Sequence, residues 1–98
     1  MIFAKVTTAL QTPIFKKRVK KLKPNQKKEL DAAIKRLIAK PTLGDLKKGG
    51  LAFLRVYKFK MSKQLTLLGY SYDDGALTLE LIALATHENF YRDVKRRS

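Results

Sequence analysis

Cysteine is absent, which excludes disulfides, a thiolate nucleophile and cysteine-ligated zinc. Histidine occurs once, at His87, too few for a histidine metal cluster, and no metal or other cofactor is expected. Tryptophan is absent as well. No apolar run approaches the roughly 20 residues that span a bilayer. Lys5 interrupts the N-terminal apolar stretch after Ile2, Phe3 and Ala4, so no signal-peptide core forms there. No phosphate-cradling Walker loop, dinucleotide-binding glycine turn or Ser-His-Asp set is present. These absences lead to the expectation of a soluble, cytoplasmic chain without membrane contact.

Acid is the other scarce commodity. Eight Asp and Glu face 22 Lys and Arg, a formal net charge of +14. The excess is concentrated, because residues 1–60 hold 17 of the basic residues against Glu29, Asp31 and Asp45, while residues 61–98 are balanced. Such a field repels copies of itself and attracts polyanions, RNA above all, or an acidic protein. With 98 residues, 45% of them apolar, the chain forms one domain over 1–98 with a modest core.

The periodicity sets an order of elements. Ile2, Ala4 and Val6 alternate with Phe3 and Lys5, as in a short strand. Thr12-Pro13 opens a helix, with Thr12 as N-cap and Pro13 at the first helical position. Phe15, Val19 and Leu22 form its apolar stripe among six lysines and arginines, and Lys23-Pro24 ends it. Asn25 is the expected N-cap of a second helix, where Leu30, Ile34, Leu37 and Ile38 share a face and Pro41 is the stop. Residues 41–50 read as a loop. The period then falls to two over 51–60, 64–72 and 76–85, with turns at Met61-Ser62-Lys63 and Asp73-Asp74-Gly75. Residues 86–97 read as a C-terminal helix capped by Thr86. The order β-α-α-β-β-β-α predicts an α+β fold. It has a small, mainly antiparallel four-stranded sheet, a two-helix hairpin packed on one face and a C-terminal helix.

Four landmarks in this order resemble a known family. They are Thr12-Pro13-Ile14-Phe15 opening the basic helix, the Gly-Asp-Leu-Lys-Lys-Gly-Gly loop leading into Leu54-Arg55-Val56-Tyr57-Lys58, the hairpin from Leu65 to Tyr72, and Thr86-His87-Glu88-Asn89-Phe90-Tyr91 before a basic tail. Together they look like a toxin of the RelE/ParE superfamily of bacterial type II toxin–antitoxin modules, over nearly the whole chain. The resemblance implies one of two activities. RelE-like members cut messenger RNA in the ribosomal A site, and ParE-like members poison DNA gyrase. It also implies a cognate antitoxin, which the charge of this chain predicts to be acidic.

The residues themselves bear on the choice. Metal-independent RNA cleavage needs a base for the 2′-hydroxyl, an acid for the leaving 5′-oxygen and cations around the phosphorane. His87 is the only side chain here whose ordinary pKa lies near about 6.5. Lys58 and Lys60, two apart on one strand, share a face and suit a phosphate, whereas Arg55 falls on the opposite face. Phe90 and Tyr91 are candidates for stacking on a splayed base. Each also has a plainer role: a surface histidine, the wet side of a strand, an aromatic anchor for a helix. By resemblance, Lys58 and Lys60 match the strand lysines of the nuclease branch, His87 the residue after the last strand, and Tyr91 the aromatic near the end. The family's middle-strand arginine is missing, with Lys63 or Gln64 nearest.

The expectation is therefore a ribosome-dependent mRNA endonuclease with His87, Lys58, Lys60 and Tyr91 as catalytic set. Lys16, Lys17, Lys20, Lys21, Lys27, Lys28, Arg55 and Phe90 are expected to bind RNA. A ParE-like gyrase inhibitor and a non-catalytic basic RNA-binding protein remain open beside it.

Overall fold

The computed structural model describes residues 8–46, 54–73 and 75–86. Its elements are β1 (Thr8–Gln11), α1 (Pro13–Lys20), α2 (Pro24–Ala39), β2 (Asp45–Leu46), β3 (Arg55–Met61), β4 (Gln64–Asp73) and β5 (Thr78–Thr86). They form one five-stranded sheet in the order β1-β5-β4-β3-β2. β1 runs parallel to β5, and every other pairing is antiparallel.

The class is as expected, but the sheet has five strands among the described residues rather than four. Two of the five, β1 and β2, fall where the sequence reading has no strand, and β2 is two residues inside the stretch read as a loop, paired with Val56 and Arg55. A pair of residues is too short to show a period, so Gly and Pro dominate the sequence signal there. The strand expected at 2–6 lies outside the described residues. β1 follows it as Thr-Ala-Leu-Gln, all exposed and without alternation. The expected C-terminal helix also lies outside, except for Thr86. That residue closes β5 opposite Thr66.

Thr12 caps α1 as expected and also ties it to the sheet. Its Oγ1 accepts from Phe15 N (3.2 Å) and donates to Ile82 O (2.8 Å). The β4–β5 ladder shifts register between Gly69 and Tyr70, pairing them with Ala83 and Leu81, so Ile82 is the extra residue of a bulge. Thr12 Oγ1 thus bonds the carbonyl of the bulged residue. Arg18 Nε donates to Leu84 O at 3.0 Å further along α1.

The start of α2 corrects the sequence reading. The N-cap is Lys23, and Pro24 occupies the first helical position instead of merely ending α1. Proline suits that position because its missing N–H would be unpaired anyway and its φ is already helical. Gln26 Oε1 accepts from Lys23 N at 2.9 Å, one half of a capping box. Asn25 therefore lies inside the first turn, and its amide donates to Ser62 Oγ (3.3 Å).

Both helices cover one face of the sheet. Phe15, Leu30 and Leu37 meet Met61, Leu68, Tyr70, Leu79, Leu81 and Leu84 in the main core. The opposite face is buried too, through Leu54, Val56, Leu67, Ile82, Ala83 and Ala85. Central strands buried on both faces read as nearly continuous apolar runs, which is why β4 and β5 show little alternation.

Candidate nucleic-acid interface

β3 displays its side chains in strict alternation. Tyr57, Phe59 and Met61 point to the helix side and join the main core or its margin. Lys58 and Lys60 point to the other side and are exposed, opposite Leu67 and Leu65 of β4. The two ammonium groups thus stand on one face, beside the second apolar cluster, as the spacing of the sequence predicts. Two neighbouring cations above an apolar floor suit a phosphodiester.

Both ends of β3 are fixed by hydrogen bonds between residues that no local sequence pattern joins. At its end, Ser62 and Lys63 form a two-residue turn with φ of 52° and 65°. Both carboxylate oxygens of Glu29, on α2, accept from Ser62 N at 3.1 and 3.2 Å. At its start, Arg55 Nη1 donates to Gly44 O (3.0 Å), while Gly44 N donates to the Tyr70 hydroxyl (2.8 Å). Tyr70 in turn donates to Pro41 O (2.7 Å). Gly44 is required by this close approach, because a Cβ would lie 2.7 Å from Tyr70 Oη. Burial raises the Tyr70 pKa above its ordinary 10.0, against the lowering by the Gly44 hydrogen bond and by the charge of Arg55. Only the isolated Gly44 hints at this arrangement; a buried tyrosine hydroxyl leaves no sequence signature.

Arg55 is half-buried on the helix side and holds Gly44, so it does not share a face with Lys58 and Lys60. Lys16, Lys17, Lys20, Lys21, Lys27 and Lys28 all lie on the helical hairpin, where their side chains reach solvent. The hairpin and the strand lysines lie on opposite sides of the sheet, so the basic residues form two surfaces and not one groove. The two acids of the hairpin are engaged elsewhere, Glu29 at Ser62 and Asp31 with Lys35 at 3.7 Å. His87, Phe90 and Tyr91 lie outside the described residues. No three His, Asp or Glu side chains converge on a metal-sized site among the described residues. No helix among them is long and apolar enough to cross a membrane.

Two of the hollows among the described residues lie on the helix side. The larger, about 410 Å³, runs between α1 and α2, with Gln11 of β1 among its lining residues. The smaller, about 190 Å³, lies where α1 meets the ends of β4 and β5 and is lined by Arg18, Gln26, Gln64, Thr66 and Thr86 among others.

The family described as ParE-like toxin of type II bacterial toxin–antitoxin system matches residues 9–95. The chain belongs to that family. It is thus a toxin of the RelE/ParE superfamily, which the solved structures support at the level of fold. The free-state structure of an E. coli RelE toxin carrying two arginine-to-alanine changes superposes with a TM-score of 0.69 at 17% identity, over 92% of this chain and 95% of that one. The intact E. coli RelBE toxin–antitoxin complex gives 0.65 at 18% identity, over 81% and 94%. A RelBE2 complex from Mycobacterium tuberculosis gives 0.63 at 19%, over 85% and 93%. No curated protein matches by sequence.

Proposed function

We propose that this toxin is a ribosome-dependent mRNA endonuclease that arrests translation in the cytoplasm. The observation that carries the reading is the exposed Lys58 and Lys60 pair, side by side on the sheet face away from the helices. In the proposed reaction the 2′-hydroxyl attacks the adjacent phosphorus, and the P–O5′ bond breaks to leave a 2′,3′-cyclic phosphate and a 5′-hydroxyl. Lys58 and Lys60 hold the phosphate and stabilise its developing charge. His87 acts as general acid, giving its proton to the departing 5′-oxygen. Tyr91 orients the base or sugar, and Phe90 stacks on a splayed base. The 2′-hydroxyl proton goes to a base that this set does not assign.

The lysines of the helical hairpin, namely Lys16, Lys17, Lys20, Lys21, Lys27 and Lys28, serve in this proposal as a sequence-independent footprint on the phosphate backbone of ribosomal RNA. The partner that restrains the toxin is an acidic cognate antitoxin. Two of the similar folds were solved as toxin–antitoxin complexes, and the +14 charge here favours an acidic companion.

The ParE-like family match favours a second reading, inhibition of DNA gyrase, in which His87 has no catalytic duty. Induced expression with an RNA and DNA readout separates the two. Growth arrest with cleaved messages supports the endonuclease. Arrest with double-strand DNA breaks and intact messages supports gyrase poisoning, and absence of arrest supports a binding protein without catalysis.

A further inference from the structure

We propose that Tyr57 and Phe59 of β3, with Arg36 of α2, form a stacking subsite for a base of single-stranded RNA at the rim of the sheet. A strand whose phosphate lies at Lys58 and Lys60 crosses that rim and lays a neighbouring base against the rings. The proposal rests on the reading of the Lys58 and Lys60 face as an RNA surface, and it extends that surface around the edge of β3.

The topology makes the rim. β2 pairs with β3 only at Val56 and Arg55, so among the described residues the outer edge of β3 from Tyr57 to Met61 is unpaired. Successive residues of a strand point to opposite sides, and here each side carries its own chemistry. Lys58 and Lys60 stand exposed on one side, and Tyr57 and Phe59 lie on the other. Cations and rings are neighbours in the chain, separated by the thickness of one strand.

The rings have the form of a stacking platform. Their centroids are 6.0 Å apart and their planes differ by 13°, so a planar base against one is nearly parallel to both. Both are half-buried at the margin of the core, unlike Phe15 and Tyr70, which are closed off from solvent. Arg36 Nη1 donates to the Tyr57 hydroxyl at 3.2 Å, which steadies that ring and brings a guanidinium beside it. A guanidinium next to an aromatic pair favours a base carried on a phosphate backbone. Glu29, the acid that α2 brings to this rim, has both carboxylate oxygens on Ser62 N. Asp45 lies at the far end, opposite Val56 on β2. A base held in a stacked duplex has no free face to offer, so the strand is single.

The test uses the full chain and fluorescein-labelled, 2′-O-methylated single-stranded oligonucleotides, which lack the attacking hydroxyl. An abasic oligonucleotide of the same length and charge is the control. The intact strand should bind about tenfold more tightly than the abasic one. Tyr57→Leu/Phe59→Leu removes the rings and keeps apolar volume, so it should abolish that preference. Its affinity for the abasic strand should stay within about twofold to threefold, which also shows that the variant is folded. Tyr57→Phe keeps both rings and should retain most of the preference, and Arg36→Gln should weaken the intact strand more than the abasic one. The slope of log affinity against log salt should not change in the Leu/Leu variant, because stacking releases no counterions. Lys58→Ala/Lys60→Ala should flatten it by about 0.7 per lost phosphate contact for both strands alike. Equal affinity of the parent for the two strands overturns the subsite, as does an equal loss on both in the Leu/Leu variant. A glutamate-rich peptide that binds through the rings, with no RNA binding, also overturns it and assigns the rim to an acidic protein. A base preference that needs the rings, beside a lysine variant that alters neither affinity nor slope, keeps the subsite and overturns the phosphate site.

Discussion

Gly44 N donates to the hydroxyl of Tyr70 at 2.8 Å, and the same hydroxyl donates to Pro41 O. One buried phenol on β4 thereby fixes the segment between α2 and β2, and Arg55 grips Gly44 from its carbonyl side. Tyr70→Phe removes both bonds and leaves a buried N–H and carbonyl unpaired. The expected loss is about 1–3 kcal/mol by urea unfolding at neutral pH. The pH dependence follows in sign. A phenol whose folded pKa lies above 10.0 keeps its proton longer in the folded state than in the unfolded one. Its stabilisation is complete below the unfolded pKa of 10.0 and is lost as the pH rises through the folded one. Tyr70→Phe should lack that part of the alkaline decline, measured as the difference between the two stability–pH curves.

Thr12 joins the N-terminus of α1 to the bulge at Ile82. Thr12→Ala removes the helix cap and the buried bond to Ile82 O. It should cost about 1–2 kcal/mol in thermal or urea unfolding, whereas Thr12→Ser should recover most of it.

How far the fold is legible in the sequence depends on whether the signal is local. Thr12-Pro13 announces α1 because capping chemistry lies within four residues. The i, i+4, i+7, i+8 pattern of Leu30, Ile34, Leu37 and Ile38 announces α2 for the same reason. Pro24 is ambiguous because proline both ends and begins helices, and only the fold shows which. β1 is invisible because Thr8–Gln11 carries no alternation and owes its strand to parallel pairing with Thr78–Leu81 of β5, distant in sequence. For the candidate site, alternation is enough to place Lys58 and Lys60 together and Arg55 apart. It is not enough to show that the hairpin lysines lie across the sheet from them, since that depends on which face the helices cover. The paired roles of Glu29 with Ser62 and Tyr70 with Gly44 join residues far apart in the chain and have no local signature.

The β3–β4 turn carries avoidable strain. Ser62 and Lys63 both have positive φ, which asparagine and glycine tolerate better in a two-residue hairpin loop. Ser62→Asn/Lys63→Gly should stabilise the chain by about 0.5–1 kcal/mol, while the Glu29 carboxylate keeps its bond to the backbone N–H of residue 62. A chemical denaturation midpoint that rises with an unchanged slope checks it.

The two basic surfaces should be separable by salt. Charge reversal at Lys16, Lys17, Lys20 and Lys21 should weaken ribosome binding. The slope of log affinity against log salt should flatten by about 0.7–0.9 for each phosphate that the variant no longer neutralises. Lys58→Ala/Lys60→Ala should lower cleavage more than it lowers that slope. Unchanged affinity and slope in the α1 variant would place the footprint elsewhere.

The most direct test of the endonuclease account is single-turnover cleavage of a defined message on programmed ribosomes, comparing the parent with His87→Gln. The parent should cut the message only when ribosomes are present. His87→Gln should keep its melting temperature and its ribosome affinity while the cleavage rate falls by about 10²–10⁴-fold, the usual contribution of a positioned acid. Cleavage by His87→Gln at the parental rate would contradict the account, as would intact messages alongside inhibited gyrase supercoiling in a parallel reaction.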